Sequence, residues 1–105
     1  MTGKELAEKV CDQYGTRHVF KLAEKAGCTI VYARWQPVTL GEYHRKTKTI
    51  FLNENRGKVS LDAVLAHELG HFFCDAFLGN VEKKEAEEIA MAFAEAWTSL
   101  DILPN

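Results

Sequence analysis

No two of the three cysteines, Cys11, Cys28 and Cys74, form a CxxC pair. So odd and scattered a set builds neither a disulfide framework nor a cysteine zinc knuckle. Cys74 is expected to be a buried small hydrophobe. No stretch approaches the ~20 apolar residues that span a bilayer, and the opening "MTGKELAEKV" lacks the apolar core of a signal peptide. The expectation is a cytoplasmic chain with no membrane partner. An excess of basic charge is missing too. A net charge of −2 and a pI near 6.1 supply no field that favours direct contact with nucleic acid. The one basic cluster, "HRKTK" (His44–Lys48), reads as a solvated hairpin tip. Internal repeats, low-complexity tracts and linkers are likewise missing, so residues 1–105 are expected to form one domain. That length is expected to bury a core without disulfides and argues against separate catalytic and DNA-binding domains.

What is present is the composition of a soluble globular chain, 47% hydrophobic and 27% charged. Between Gly3 and Ala26 apolar residues recur at helical spacing with a break at Gly15–Thr16. Two short helices are predicted, with Thr16 capping the second and Gly27 ending it. "CTIVYARW" (Cys28–Trp35), "TLGEYHR" (Thr39–Arg45) and "TKTIFLN" (Thr47–Asn53) carry the β-branched and aromatic residues of strands. The last two are close enough to form a hairpin. A small three-stranded antiparallel sheet is expected. Ser60 opens a helix that Gly79–Asn80 closes. Another runs from about Val81 to Leu100, with Ile89, Phe93, Ala96, Trp97 and Leu100 facing the core and Pro104 beyond its end. The order α-α-β-β-β-α-α specifies an α+β domain.

Within the first of these long helices stands "LAHELGHFF" (Leu65–Phe73). Residues four apart project from one helix face, so His67 and His71 can present two imidazole nitrogens to one ion, the nitrogen donors that tetrahedral zinc takes. Glu68 is 100° further round, beside such an ion rather than on it, where a carboxylate can take a proton from the attacking water. Gly70 costs roughly 1 kcal/mol relative to alanine in a helix interior. Its presence points to close packing against it, by a neighbouring strand or a substrate backbone. An HExxH pattern arises by accident in such a composition on the order of once in a hundred chains. The alternative of two histidines and a glutamate buried without a partner is costly.

A hydrolytic zinc site uses three protein ligands. His18 and His44 lie at no ligand spacing, whereas "VEKKEAEEIAMAFA" offers Glu82, Glu85, Glu87 and Glu88. If the two helices pack antiparallel, Glu85 comes level with His71 and shares a face with Ile89, Phe93 and Ala96; Glu88 is the next choice, and Glu87 points more toward solvent.

"LDAVLAHELGHFF", preceded by "GEYHRKTKTIFLNENRG" and followed by "EAEEIAMAFAEA", resembles the ImmA/IrrE family of zinc metallopeptidases over roughly Ala23 to Ala96. The resemblance implies a compact zincin-like fold with one Zn²⁺. His67, His71 and Glu85 would be its ligands and Glu68 the general base, the arrangement called a gluzincin. It also implies action on helix-turn-helix repressors of mobile elements, phages and stress responses. The chain departs from that family in carrying Glu87 where asparagine is common two places after the third ligand. It departs from thermolysin-like gluzincins in carrying Ile89 where an aspartate supports a zinc histidine. Asp75, one turn past His71, is a candidate for that support, with a surface role as the alternative.

The expected function is therefore zinc-dependent hydrolysis of a protein partner, a helix-turn-helix repressor or an antitoxin. The substrate would lie as an extended strand along a sheet edge at Leu40–His44. Tyr43 and His44 are candidates for stabilising the oxyanion. Two alternatives are a zinc-binding module that sequesters such a partner without cutting it, and a domain in which the metal is purely structural.

Overall fold

Helix α1 (Gly3–Tyr14) begins at a reciprocal cap. The Thr2 hydroxyl accepts from the Glu5 amide at 3.1 Å, and the Glu5 carboxylate accepts from the Thr2 amide at 2.8 Å. It ends at Gly15, whose positive φ of 66° suits glycine. Helix α2 (Val19–Ala26) ends in the same manner at Gly27, as expected. Its N-cap is His18 rather than Thr16, and the Thr16 hydroxyl instead accepts from the His18 amide at 3.2 Å. The computed structural model describes residues 1–102, with side-chain surroundings as far as residue 97. The expected core role of Leu100 and the expected stop at Pro104 lie outside what is described.

Strands β1 (Thr29–Ala33), β2 (Gly41–His44) and β3 (Thr49–Asn53) form one sheet in the order β1-β3-β2. The α+β class and element order match the sequence expectation, but the sheet is mixed. β2 pairs antiparallel with β3, whereas β1 pairs parallel with it, Thr29 opposite Thr49 through Ala33 opposite Asn53. The reason lies in burial. β3 is the strand with the most buried side chains, Ile50, Leu52 and Asn53, and it takes the centre. The connection from residue 34 to residue 40 carries β2 past that position to the far edge. A three-residue 3₁₀ turn, Arg45–Thr47, joins β2 to β3, and the basic cluster there is exposed, as expected.

Asn53 fastens the connection before β2 to the sheet. Fully buried, it directs its Nδ2 toward the carbonyls of Trp35, Gln36 and Thr39 at 3.3, 3.2 and 2.9 Å. Its Oδ1 accepts from the Trp35 and Asn55 amides at 3.2 and 2.8 Å. The Trp35 indole donates to the Thr39 carbonyl at 2.6 Å. A polar side chain with both its amide ends satisfied is tolerated in the interior.

Helix α3 (Leu61–Leu78) is capped by Ser60, whose hydroxyl accepts from the Ala63 amide at 3.1 Å. It is buried on most sides, by the sheet, α1, α2 and α4. Helix α4 (Lys83–Ile102) packs against both α3 and α1 and so has two buried sides. One meets α1 at Gly3, where a Cβ would run into Ile89 and Phe93; the other meets α3 at Gly70, where a Cβ would lie 2.8 Å from the Ala90 Cα. The close approach expected at Gly70 is therefore made by a helix backbone. The fully buried aromatic rings of Phe73, Phe93 and Trp97 fill the space between α1, α3 and α4.

Candidate metal centre

His67 and His71 project from one face of α3 with ring centroids 5.1 Å apart. Each is about a quarter exposed, opening onto a cleft of about 760 Å³ between α3, the start of α4 and strand β2. Glu87, in the second turn of α4, reaches both rings. Its Oε1 lies 2.9 Å from Nε2 of His67 and its Oε2 3.0 Å from Nε2 of His71. Donor atoms of the three residues all fall within 4.8 Å of one another. Two imidazoles and a carboxylate converging on one point form a donor set suited to a divalent metal ion.

The residue expected as third ligand, Glu85, is not brought to this point, nor is Glu88; both are exposed on α4. The cause is the double burial of α4. Glu85 falls in line with Ile89, at the level where the α4 backbone passes Gly3 of α1. The side facing the histidines is the one on which Ala90 meets Gly70. Glu87 sits one turn before Ala90 on that side, about 200° of helical rotation from Glu85. A signal was available in the alanines at 86, 90 and 94, whose four-residue spacing marks a surface where a helix comes close.

Glu68 is 8% exposed and lies against β2, where a Cβ added to Gly41 would stand 3.2 Å from its Oε2. Burial, together with the Glu87 and Glu42 carboxylates, pushes its carboxyl up to about 7. A carboxyl poised there takes up and releases protons readily near neutrality. Burial lowers the pKa of His71, against the opposing pull of Glu87, and favours the neutral imidazole that a cation needs.

Of the other residues singled out by sequence, Tyr43 lines the cleft, its ring edge-on to Phe72 at 5.9 Å, and burial raises its pKa. His44 instead pairs with Glu42 at 3.1 Å and lies tilted against Phe51, ring centroids 4.7 Å apart. Asp75 pairs with Arg45 at 3.0 Å rather than with His71. Cys74 is buried, as expected, and burial raises its thiol pKa. Among the described residues no helix is long and apolar enough to cross a membrane.

The model of one protein family, Peptidase_M78, described as the IrrE N-terminal-like domain, matches residues 23–97. That span holds the whole sheet, all of α3 and most of the described part of α4, and so every residue of the site. No curated protein and no solved structure matches the chain.

Proposed function

The chain belongs to the Peptidase_M78 family, and from that membership we propose that it is a zinc-dependent metalloendopeptidase acting on a protein partner. The observation that carries the reading is the convergence of His67, His71 and Glu87 within 4.8 Å, with Glu68 buried beside them. His67, His71 and Glu87 are the residues that would hold the ion. When bound, zinc supplies a Lewis acid that lowers the pKa of water and polarises the scissile carbonyl.

Glu68 takes the proton of the attacking water and passes it to the leaving amine nitrogen. Its near-neutral carboxyl suits both transfers. The substrate strand pairs with β2, which is the free edge of the sheet on the side of the cleft. The Asn53 amide donates to the Leu40 carbonyl, and antiparallel alternation then turns the N–H and C=O of Gly41 and Tyr43 outward to receive that strand. Gly41 has a further requirement. A Cβ there would stand 2.8 Å from Val64 Cγ1 and crowd Glu68. Tyr43, at the cleft wall, is the candidate donor to the oxyanion. The resemblance to ImmA/IrrE peptidases nominates a helix-turn-helix repressor or antitoxin as the partner.

Glu68→Gln separates cutting from holding. It is expected to keep zinc and to lose cleavage of the partner by 10²-fold or more, the usual scale for a general base. Zinc retained with cleavage or biological effect unchanged would favour a module that sequesters its partner.

A further inference from the structure

Strand β2 and helix α3 run side by side in the same direction along the cleft. Gly41 lies against Val64 and Glu68, Tyr43 against Phe72, and Arg45 against Asp75. The cleft therefore has two unlike ends, with the metal-site histidines between them. Arg45 and Asp75 mark one end. At the other, Val38, Leu40, Val59, Ala63 and Val64 make a mainly aliphatic wall, with Thr39 among them.

Two of the large hydrophobic side chains left in water, Val38 at 87% and Val59 at 40% exposure, line this same cleft. Val59 has a structural role available to it. It precedes the cap Ser60, the position whose side chain packs on the fourth residue of a helix, here Val64. Val38 has no such role, and its exposure is not that of a loose loop. Asn53 and the Trp35 indole grip the carbonyls of Trp35, Gln36 and Thr39 on either side of it. A fixed turn thus displays an aliphatic side chain over the cleft, which costs free energy in water and returns it only when covered.

We infer that Val38 is a specificity-determining residue. With Leu40 and Val59 it receives a bulky aliphatic or aromatic side chain of the extended peptide that pairs with β2. The inference rests on the peptidase reading for its substrate and on the cleft wall for its chemistry. Continuity selects the occupant, because Val38, Leu40, Gly41 and Tyr43 line one cleft, so a strand laid on the outward groups of Gly41 and Tyr43 reaches the turn that carries Val38.

The test is cleavage of a synthetic decapeptide mixture randomised on both sides of a central segment, read by mass spectrometry. The zinc-loaded wild type is expected to enrich Leu, Ile, Met or Phe at one fixed position relative to the cut. Val38→Asp is expected to reduce kcat/KM for those peptides about tenfold or more, chiefly through KM, the scale of an apolar pocket contact. A flat preference in the wild type, or one unchanged in Val38→Asp, overturns the inference while leaving the peptidase reading intact. Absence of any cleavage would instead count against the peptidase reading. The pocket is then read without turnover, from the methyl NMR signals of Val38, Leu40 and Val59. N-acetyl-phenylalaninamide is expected to shift them and N-acetyl-aspartamide to leave them in place, with the response lost in Val38→Asp. Equal responses to both amides, or none to either, overturn the inference.

Discussion

Helix α3 brings three polar groups to the site within about one turn, and α4 brings one, and they are held by different means. His67, Glu68 and His71 rise from a helix buried on most sides, and the rigid core beneath them fixes their direction. Glu87 stands near the start of α4 with its side chain about half exposed. Its place depends on how closely the two helices meet, and that is set at Gly70 and Ala90. One half of the centre is thus written into a single helix, and the other into a contact between helices.

Substitution at that contact should have the largest effect. Gly70→Leu drives a side chain into the Ala90 backbone and separates the helices. The expected loss is about 3 kcal/mol, the upper end for overpacking, measured by urea denaturation. Zinc retention should fall with it, because Glu87 moves away from the histidines. A variant that stays equally stable and binds zinc normally would show that α4 is not positioned there.

Next in size is the burial of Glu68. Its folded-state pKa of about 7 stands above the usual 4.5. Metal-free protein therefore has this group protonated in both states below about pH 4.5, at no cost. The cost grows as the pH rises toward 7 and is complete above it. Glu68→Gln removes the cost, on the order of 2 kcal/mol. The melting temperature of the metal-free variant should exceed that of wild type at pH 8 and equal it at pH 4. Equal values at pH 8 would mean that the carboxylate is better solvated than its place behind β2 implies.

These two effects also divide what was legible in the sequence from what was not. His67, Glu68 and His71 follow from 3.6-residue periodicity alone, and Gly70 reads as a close approach because glycine is otherwise costly in a helix. The acidic group that α4 brings needs the rotation of α4 about its own axis. A stripe of Ile89 and Phe93 misleads on that point, because α4 is buried against both α1 and α3 and its apolar side is wider than one stripe. The sheet shows the same limit. Strand identities follow from β-branched and aromatic runs, but the parallel pairing of β1 depends on β3 taking the centre, a long-range outcome of burial. Asn53 reads as a strand-ending residue and no more, since the three carbonyls it gathers come from a segment 14 to 18 residues away.

The smallest effect is expected where α3 is open to water. Arg45 and Asp75 pair at 3.0 Å with side chains 67% and 25% exposed, so Arg45→Ala should cost under about 1 kcal/mol. It should leave zinc content unchanged, as the pair does not touch either histidine. A larger loss of stability would mean that the hairpin tip takes part in holding the C-terminal end of α3.

Helix α4 is expected to complete the centre through Glu87. That role is tested most directly by zinc titration of two single variants, Glu87→Ala and Glu85→Ala, against a chromophoric chelator. Wild type and Glu85→Ala should each bind one zinc per chain with similar affinity, and Glu87→Ala should bind at least about tenfold more weakly, as loss of a ligand exceeds the 10–100-fold loss typical of a supporting residue. Weakened binding in Glu85→Ala with Glu87→Ala unaffected would contradict the account.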